Sequence, residues 1–144
     1  MRKMKVWIFI SGFFVLSLLI VISILIHWGL LTDVNSDFAT EALLEYRCDG
    51  DMDISVNVND KDDILILKRI LKGNSTELSP SCGFYAVRIT MFDDSNSIIF
   101  HPASDGCSVL KIGKSAKYIE ISDSARRKLD EVLKKHGINP TGCR

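Results

Sequence analysis

From Val6 to Ile26 the chain carries no charged side chain, a run of roughly 21 residues that only lipid or a large core can solvate. About 113 residues remain beyond Leu31, enough for one domain with one modest core. The run is therefore expected to be a transmembrane helix. At about 1.5 Å of rise per residue, Trp7 and Trp28 would stand roughly 31 Å apart, close to the ~30 Å hydrocarbon core of a bilayer, and would fit its two aromatic belts. Arg2, Lys3 and Lys5 precede the run, whereas Asp33, Asp37, Glu41 and Glu45 come before the next basic residue, Arg47. The positive-inside rule then predicts a single-pass protein of the cell membrane, with its N-terminus cytoplasmic and its C-terminal domain extracytoplasmic. A cleaved signal peptide fits less well, since its apolar region usually spans about 7 to 15 residues and ends at a small-x-small site. The organisation expected is a basic tip and anchor over residues 1–31, a juxtamembrane stalk over 32–47 and a folded domain over 48–144.

Without Arg2, Lys3 and Lys5, the remainder has 15 basic residues against 18 acidic ones. That net of −3 argues against nucleic acid as a partner. Cys48, Cys82, Cys107 and Cys143 all follow the apolar run. An even number in an oxidising compartment reads as two disulfides, with three connectivities open. Their spacings of about 34, 25 and 36 residues include no C-x-x-C, so a zinc cage has little support and no metal or other cofactor is expected.

Ser36 or Asp37 is placed to cap a short stalk helix through Phe38, Ala42, Leu43 and Tyr46. From Met52 the pattern changes. Met52, Ile54, Val56 and Val58 alternate with Asp53, Ser55, Asn57 and Asn59, as in a strand with one wet side. Acidic Asp60 to Asp63 then load a first turn, Ile64, Leu67, Ile70 and Leu71 recur at helical spacing, and Gly73 suits a left-handed C-terminal position. Asn74-Ser75-Thr76 reads as polar loop. Phe84 to Phe92 and Ile98 to His101 form a hairpin about Asp93 to Asn96, and strands follow at Ser108 to Ile112 and Tyr118 to Ile121. Ser122 can cap a final helix with an apolar stripe of Ala125, Leu129, Val132 and Leu133, closed by Gly137. The fold class expected is α+β: an N-terminal transmembrane helix, then a mostly antiparallel sheet of four to five strands packed with two helices.

Counting along the hairpin narrows the disulfide pairing. If Asp94 and Ser95 form a two-residue turn, cross-strand partners have position numbers summing to about 189. Ile89 then faces Phe100, and at the open end Cys82 faces Cys107. Cys48 is left to join Cys143, tying the ends of the domain together.

The strand, the Asp62-Asp63-Ile64 to Ile70-Leu71 helix, the following strands and the Tyr118 to Ser122 segment feeding a last helix loosely resemble the small YhfM-like exported domains of bacterial lipoproteins. The resemblance covers about Ile54 to His136. It implies export and a small α+β fold, with no established activity and no functional residue to carry over.

The most site-like stretch is His101-Pro102-Ala103-Ser104-Asp105-Gly106-Cys107, which gathers an imidazole, a hydroxyl, a carboxylate and a sulfur. No strand-turn-helix G-x-S-x-G elbow supports a nucleophile there, and Asp105-Gly106 more simply makes a turn. His101 itself reads as an exposed side chain at a strand end. Arg126, Arg127, Lys128, Lys134 and Lys135 could present a basic strip to anionic headgroups, but Asp130 and Glu131 interrupt it and a solvated outer face is the favoured reading. The leading expectation is a membrane-tethered binding or regulatory module without catalysis, such as an inhibitor or self-protection protein. Its partners would be the lipid bilayer through residues 6–31 and an extracytoplasmic protein or envelope component. The alternatives are a tethered hydrolase centred on His101 and Asp105, and a thiol redox or metal-binding protein.

Overall fold

The computed structural model of the 144-residue chain describes residues 17–23, 33–48, 51–77 and 80–140, with residues 33 and 51–53 described by backbone alone. The chain divides into two units, Met1–Thr32 and Asp33–Arg144. In the first, residues 17–23 are helical and Leu18 to Ile22 are exposed. No helix among the described residues is long and apolar enough to cross a membrane. The expected N-terminal transmembrane helix is therefore corrected. Apolar composition suits lipid, but a span also needs about 20 residues of continuous helix, and the described helical residues there, 17–23, are fewer than that. Trp7 and Trp28, the expected membrane belt, lie outside the described residues.

The described residues of the second unit form eight strands and two helices: β1 (Asp33–Val34), β2 (Glu41–Cys48), β3 (Asp51–Val58), α1 (Lys61–Ile70), β4 (Gly73–Asn74), β5 (Val87–Phe92), β6 (Ser97–Pro102), β7 (Val109–Ile112), β8 (Tyr118–Glu120) and α2 (Asp123–Lys135). Six strands form one sheet in the order β3-β2-β5-β6-β7-β8, every neighbouring pair antiparallel. The expectation of four to five strands falls short because Glu41–Cys48, read as a stalk helix, is the strand between β3 and β5. Ala42, Leu44 and Tyr46 are buried while Leu43 and Glu45 are less so, which is a period of two. The apolar Leu43 on the wetter side is what lets the same residues also match a helical spacing.

The hairpin between β5 and β6 has the expected register. Ile89 faces Phe100 and Phe92 faces Ser97; Asp93 N–H donates to the Asn96 carbonyl at 3.0 Å, and the Asp93 carboxylate accepts from the Ser95 and Asn96 amides. Ile89 and Phe100 turn to the buried side with Ala42, Leu44, Val58, Met91, Leu110 and Ile119. Ile64, Leu67, Ile70 and Leu71 of the α1 region and Leu129, Val132 and Leu133 of α2 belong to the same core. Both helices thus cover one face of the sheet, and the opposite face is left for polar residues.

The helix ends follow from local chemistry. Asp60 accepts from the Asp62 and Asp63 amides and caps α1, and the Ser122 hydroxyl accepts from Ala125 N–H and caps α2. At the far end of α2, Ile138 N–H reaches the Leu133 carbonyl and Gly137 N–H the Lys134 carbonyl, a Schellman end that needs the positive φ of Gly137. Gly73 does not end α1 in this way. The cap is Leu71, and Gly73, at φ 146° with Ile119 Cγ2 only 3.4 Å from where a Cβ would stand, starts β4 against β1. The Asn74-Ser75-Thr76 stretch is accordingly pinned, with Asn74 paired to Asp33 and Thr76 bridged to Tyr118.

Candidate functional site

On the sheet face away from the helices, side chains from four adjacent strands fall into one row. Glu45 on β2 is opposite Arg88 on β5. One step beyond the Ile89–Phe100 pair, the same register sets Arg88 opposite His101 on β6, and His101 is opposite Lys111 on β7. The row lines a groove of ≈ 520 Å³, to which the β7–β8 turn adds Lys114 and the segment before β5 adds Phe84 and Tyr85.

That segment is held at several points. Cys82 and Cys107 form a disulfide with Cα atoms 6.6 Å apart. The Gly83 carbonyl accepts from Ser104 N–H at 2.8 Å, Ala86 N–H donates to the Ser104 hydroxyl at 3.3 Å, and the Ala86 carbonyl accepts from Arg47 N–H at 2.8 Å. Phe84 packs on Tyr118 with ring centroids 5.5 Å apart. Tyr85, by contrast, is 70% exposed.

Electrostatically the groove favours anions. Arg88 Nε lies 3.3 Å from Glu45 Oε2, an ion pair whose angle does not make it a hydrogen bond, so Oε2 is buried without a hydrogen-bond donor. Lys111 and Lys114 have no ion-pair partner among the described residues. His101 is half-buried, and burial pushes its imidazole below the usual histidine range; a hydrogen bond to the Val87 backbone opposes this, Arg88 and Lys111 add to it, and Glu45 opposes it. Burial thus favours the neutral form of the ring.

Comparison with known proteins brings no relative: no family model, curated protein or solved structure matches the chain. The groove has to be read from its own chemistry.

Of the residues singled out in the sequence, the structure unites Cys82 with Cys107 and separates His101 from Asp105. Asp105 is exposed in the turn, accepts from Cys107 N–H at 3.3 Å, and is not among the residues lining the groove. His101 is half-buried in the groove, not an exposed strand end. Cys48 is also disulfide-bonded, and its expected partner Cys143 lies outside the described residues. One carboxylate oxygen of Asp105 and the sulfurs of Cys82 and Cys107 lie within 4.8 Å of one another, but sulfurs bonded to each other offer no thiolate to a metal.

Of the five basic residues of α2 weighed as a strip, Arg127, Lys128 and Lys134 are exposed, as on a solvated outer face. Arg126 is buried, donating through Nη1 to the Cys107 carbonyl at 2.8 Å and through Nε to Asp130 at 3.0 Å. Lys135 is drawn to Asp63 and Asp60. The groove residues missed by reading the sequence are Glu45, Arg88, Lys111 and Lys114. The hairpin sum near 189 pairs Arg88 with His101 and was the available signal; Glu45 was hidden by the helical reading of β2.

Proposed function

We infer that the domain is a non-catalytic binding module of an oxidising compartment outside the cytosol, and that the groove of the open sheet face is where its partner sits. The observation that carries this reading is the row Glu45–Arg88–His101–Lys111, which places more positive than negative charge in a concave site beside an exposed aromatic ring. Such a set recognises charge and shape. The Cys82–Cys107 disulfide supports the compartment, since such a bond persists where thiols are not kept reduced.

A photo-reactive amino acid in place of Tyr85 in the full chain tests the reading. A discrete cross-linked adduct is expected in the native compartment, abolished by charge reversal at Lys111 and Lys114 and absent when the probe replaces Leu65 on the helix side. Equal adducts at both positions, or indifference to charge reversal, would sink the groove as the binding surface. One observation favours a hydrolytic reading in second place: His101 lines the groove half-buried, where burial favours the neutral imidazole, a form able to accept a proton. Turnover of a panel of simple esters that vanishes in His101→Ala would decide for it.

A further inference from the structure

The charge inside the groove has a definite size. Arg88 and Glu45 compensate each other as an ion pair. Arg47 also lines the groove and has a partner of its own. Lys111 and Lys114 are left as two positive charges without an ion-pair partner among the described residues. A single carboxylate would neutralise one of them, whereas a phosphate monoester carries about −1.5 to −2 at neutral pH and neutralises both.

The layout suits one such group. Arg88, His101 and Lys111 start on three adjacent strands, so the backbones of Arg88 and Lys111 are separated by two strand spacings, about 10 Å. The shorter, half-buried imidazole forms the floor between two long cationic arms. Although its Nε faces Glu45, Arg88 makes no hydrogen bond among the described residues, which leaves its guanidinium fork able to bind an oxyanion in bidentate fashion. The exposed Tyr85 ring at the groove supplies an apolar face for whatever carries the anion. A long polyanion is disfavoured, because beyond the groove it would meet a domain with 18 acidic residues against 15 basic ones.

The geometry points to a small organic phosphate monoester as the ligand, its phosphate held by Arg88, Lys111 and Lys114 over the His101 ring and its organic part resting on Tyr85. This rests on the reading of the groove as a binding surface.

The test is titration of the full chain with inorganic phosphate, phenyl phosphate and benzoate at fixed ionic strength, followed by the NMR signals of the His101 and Tyr85 rings. Saturable shifts are expected with both phosphates, phenyl phosphate binding more tightly than inorganic phosphate and at least about tenfold more tightly than benzoate. Lys111→Gln, which orphans no ion pair, should weaken phenyl phosphate about tenfold, and adding Lys114→Gln should weaken it further. Absence of a saturable shift with either phosphate, or shifts unchanged in the double variant, overturns the proposal. Benzoate binding as tightly as phenyl phosphate overturns the phosphate assignment while leaving the groove as a binding surface, which the Tyr85 cross-link judges separately.

Discussion

Asp63 is the most deeply placed acidic side chain described, with 5% of its surface exposed, and it joins the start of α1 to the end of α2. Lys135 Nζ donates to it at 2.8 Å and His136 Nε2 lies 2.9 Å from the same oxygen. Burial on its own would raise the carboxyl pKa, but the hydrogen bonds from Lys135 and His136 and the charge of Lys135 outweigh burial and hold it below the usual aspartate range. A carboxylate whose folded pKa is depressed contributes stability above its unfolded value, about 3.9. That contribution is lost as pH falls through the lower, folded value. Denaturant titrations should therefore show stability declining below about pH 4, and part of that decline should be missing in Asp63→Asn. At neutral pH the substitution should cost about 1.5 to 3 kcal/mol, the usual loss for a hydrogen bond to a charged group, because Lys135, half exposed, can return to water. A variant with the same acid slope as the parent chain would show that Asp63 is not the group responsible. None of this is visible in the Asp60 to Asp63 run, where the sequence supports an acidic first turn and says nothing about which carboxylate is buried.

Elements differ in how openly they declare themselves. The α2 stripe, the β3 alternation and the β5–β6 turn are each local patterns with a single reading. For that reason the strand face, the hairpin register, the Ser122 cap and the Gly137 end could all be placed from residues a few positions apart. β2 is different. Phe38, Ala42, Leu43 and Tyr46 fit a helix as well as Ala42, Leu44 and Tyr46 fit a strand, and what decides is burial between β3 and β5, a tertiary fact. Ser36 is misread for the same reason. Its hydroxyl caps no helix of its own and instead donates to the Leu71 carbonyl at the end of α1, 35 positions away. The site was illegible on the same grounds, since it takes one ordinary polar residue from each of four strands and only the complete sheet order sets them side by side. A pair of substitutions separates the two readings of β2. Leu44 is fully buried and Leu43 is not, so Leu44→Ala should lower stability by about 2 to 5 kcal/mol and Leu43→Ala by clearly less. The helical stripe, which contains Leu43 and omits Leu44, requires the opposite order in the same denaturation experiment.

At the scale of the whole domain, the Cys82–Cys107 bridge does more than close a loop of 25 residues. It joins the segment bearing Phe84 and Tyr85 to the turn after β6, and Arg126 reaches from α2 to the Cys107 carbonyl, so the groove wall, the turn and the second helix meet at one place. Elsewhere the wall is held by the two Ser104 hydrogen bonds, the Arg47 amide and the Phe84–Tyr118 contact. These depend on the backbone path that the bridge restrains. Cys82→Ser combined with Cys107→Ser should lower stability by about 2 to 4 kcal/mol, as expected for a loop of this length. The larger consequence falls on the groove. The row from Glu45 to Lys111 belongs to the sheet and survives with it, whereas the aromatic wall is tied down through the bridge. Binding that uses both should weaken in the double serine variant even where the domain remains fully folded, while the Arg88–Glu45 pairing and the sheet's hydrogen-exchange protection stay as they were. Tyr85 cross-linking performed well below the variant's unfolding midpoint measures this directly. Undiminished cross-linking in a folded, bridge-free domain would show that the wall holds its place through its hydrogen bonds and the Phe84–Tyr118 contact alone, leaving the disulfide only its effect on the unfolded chain.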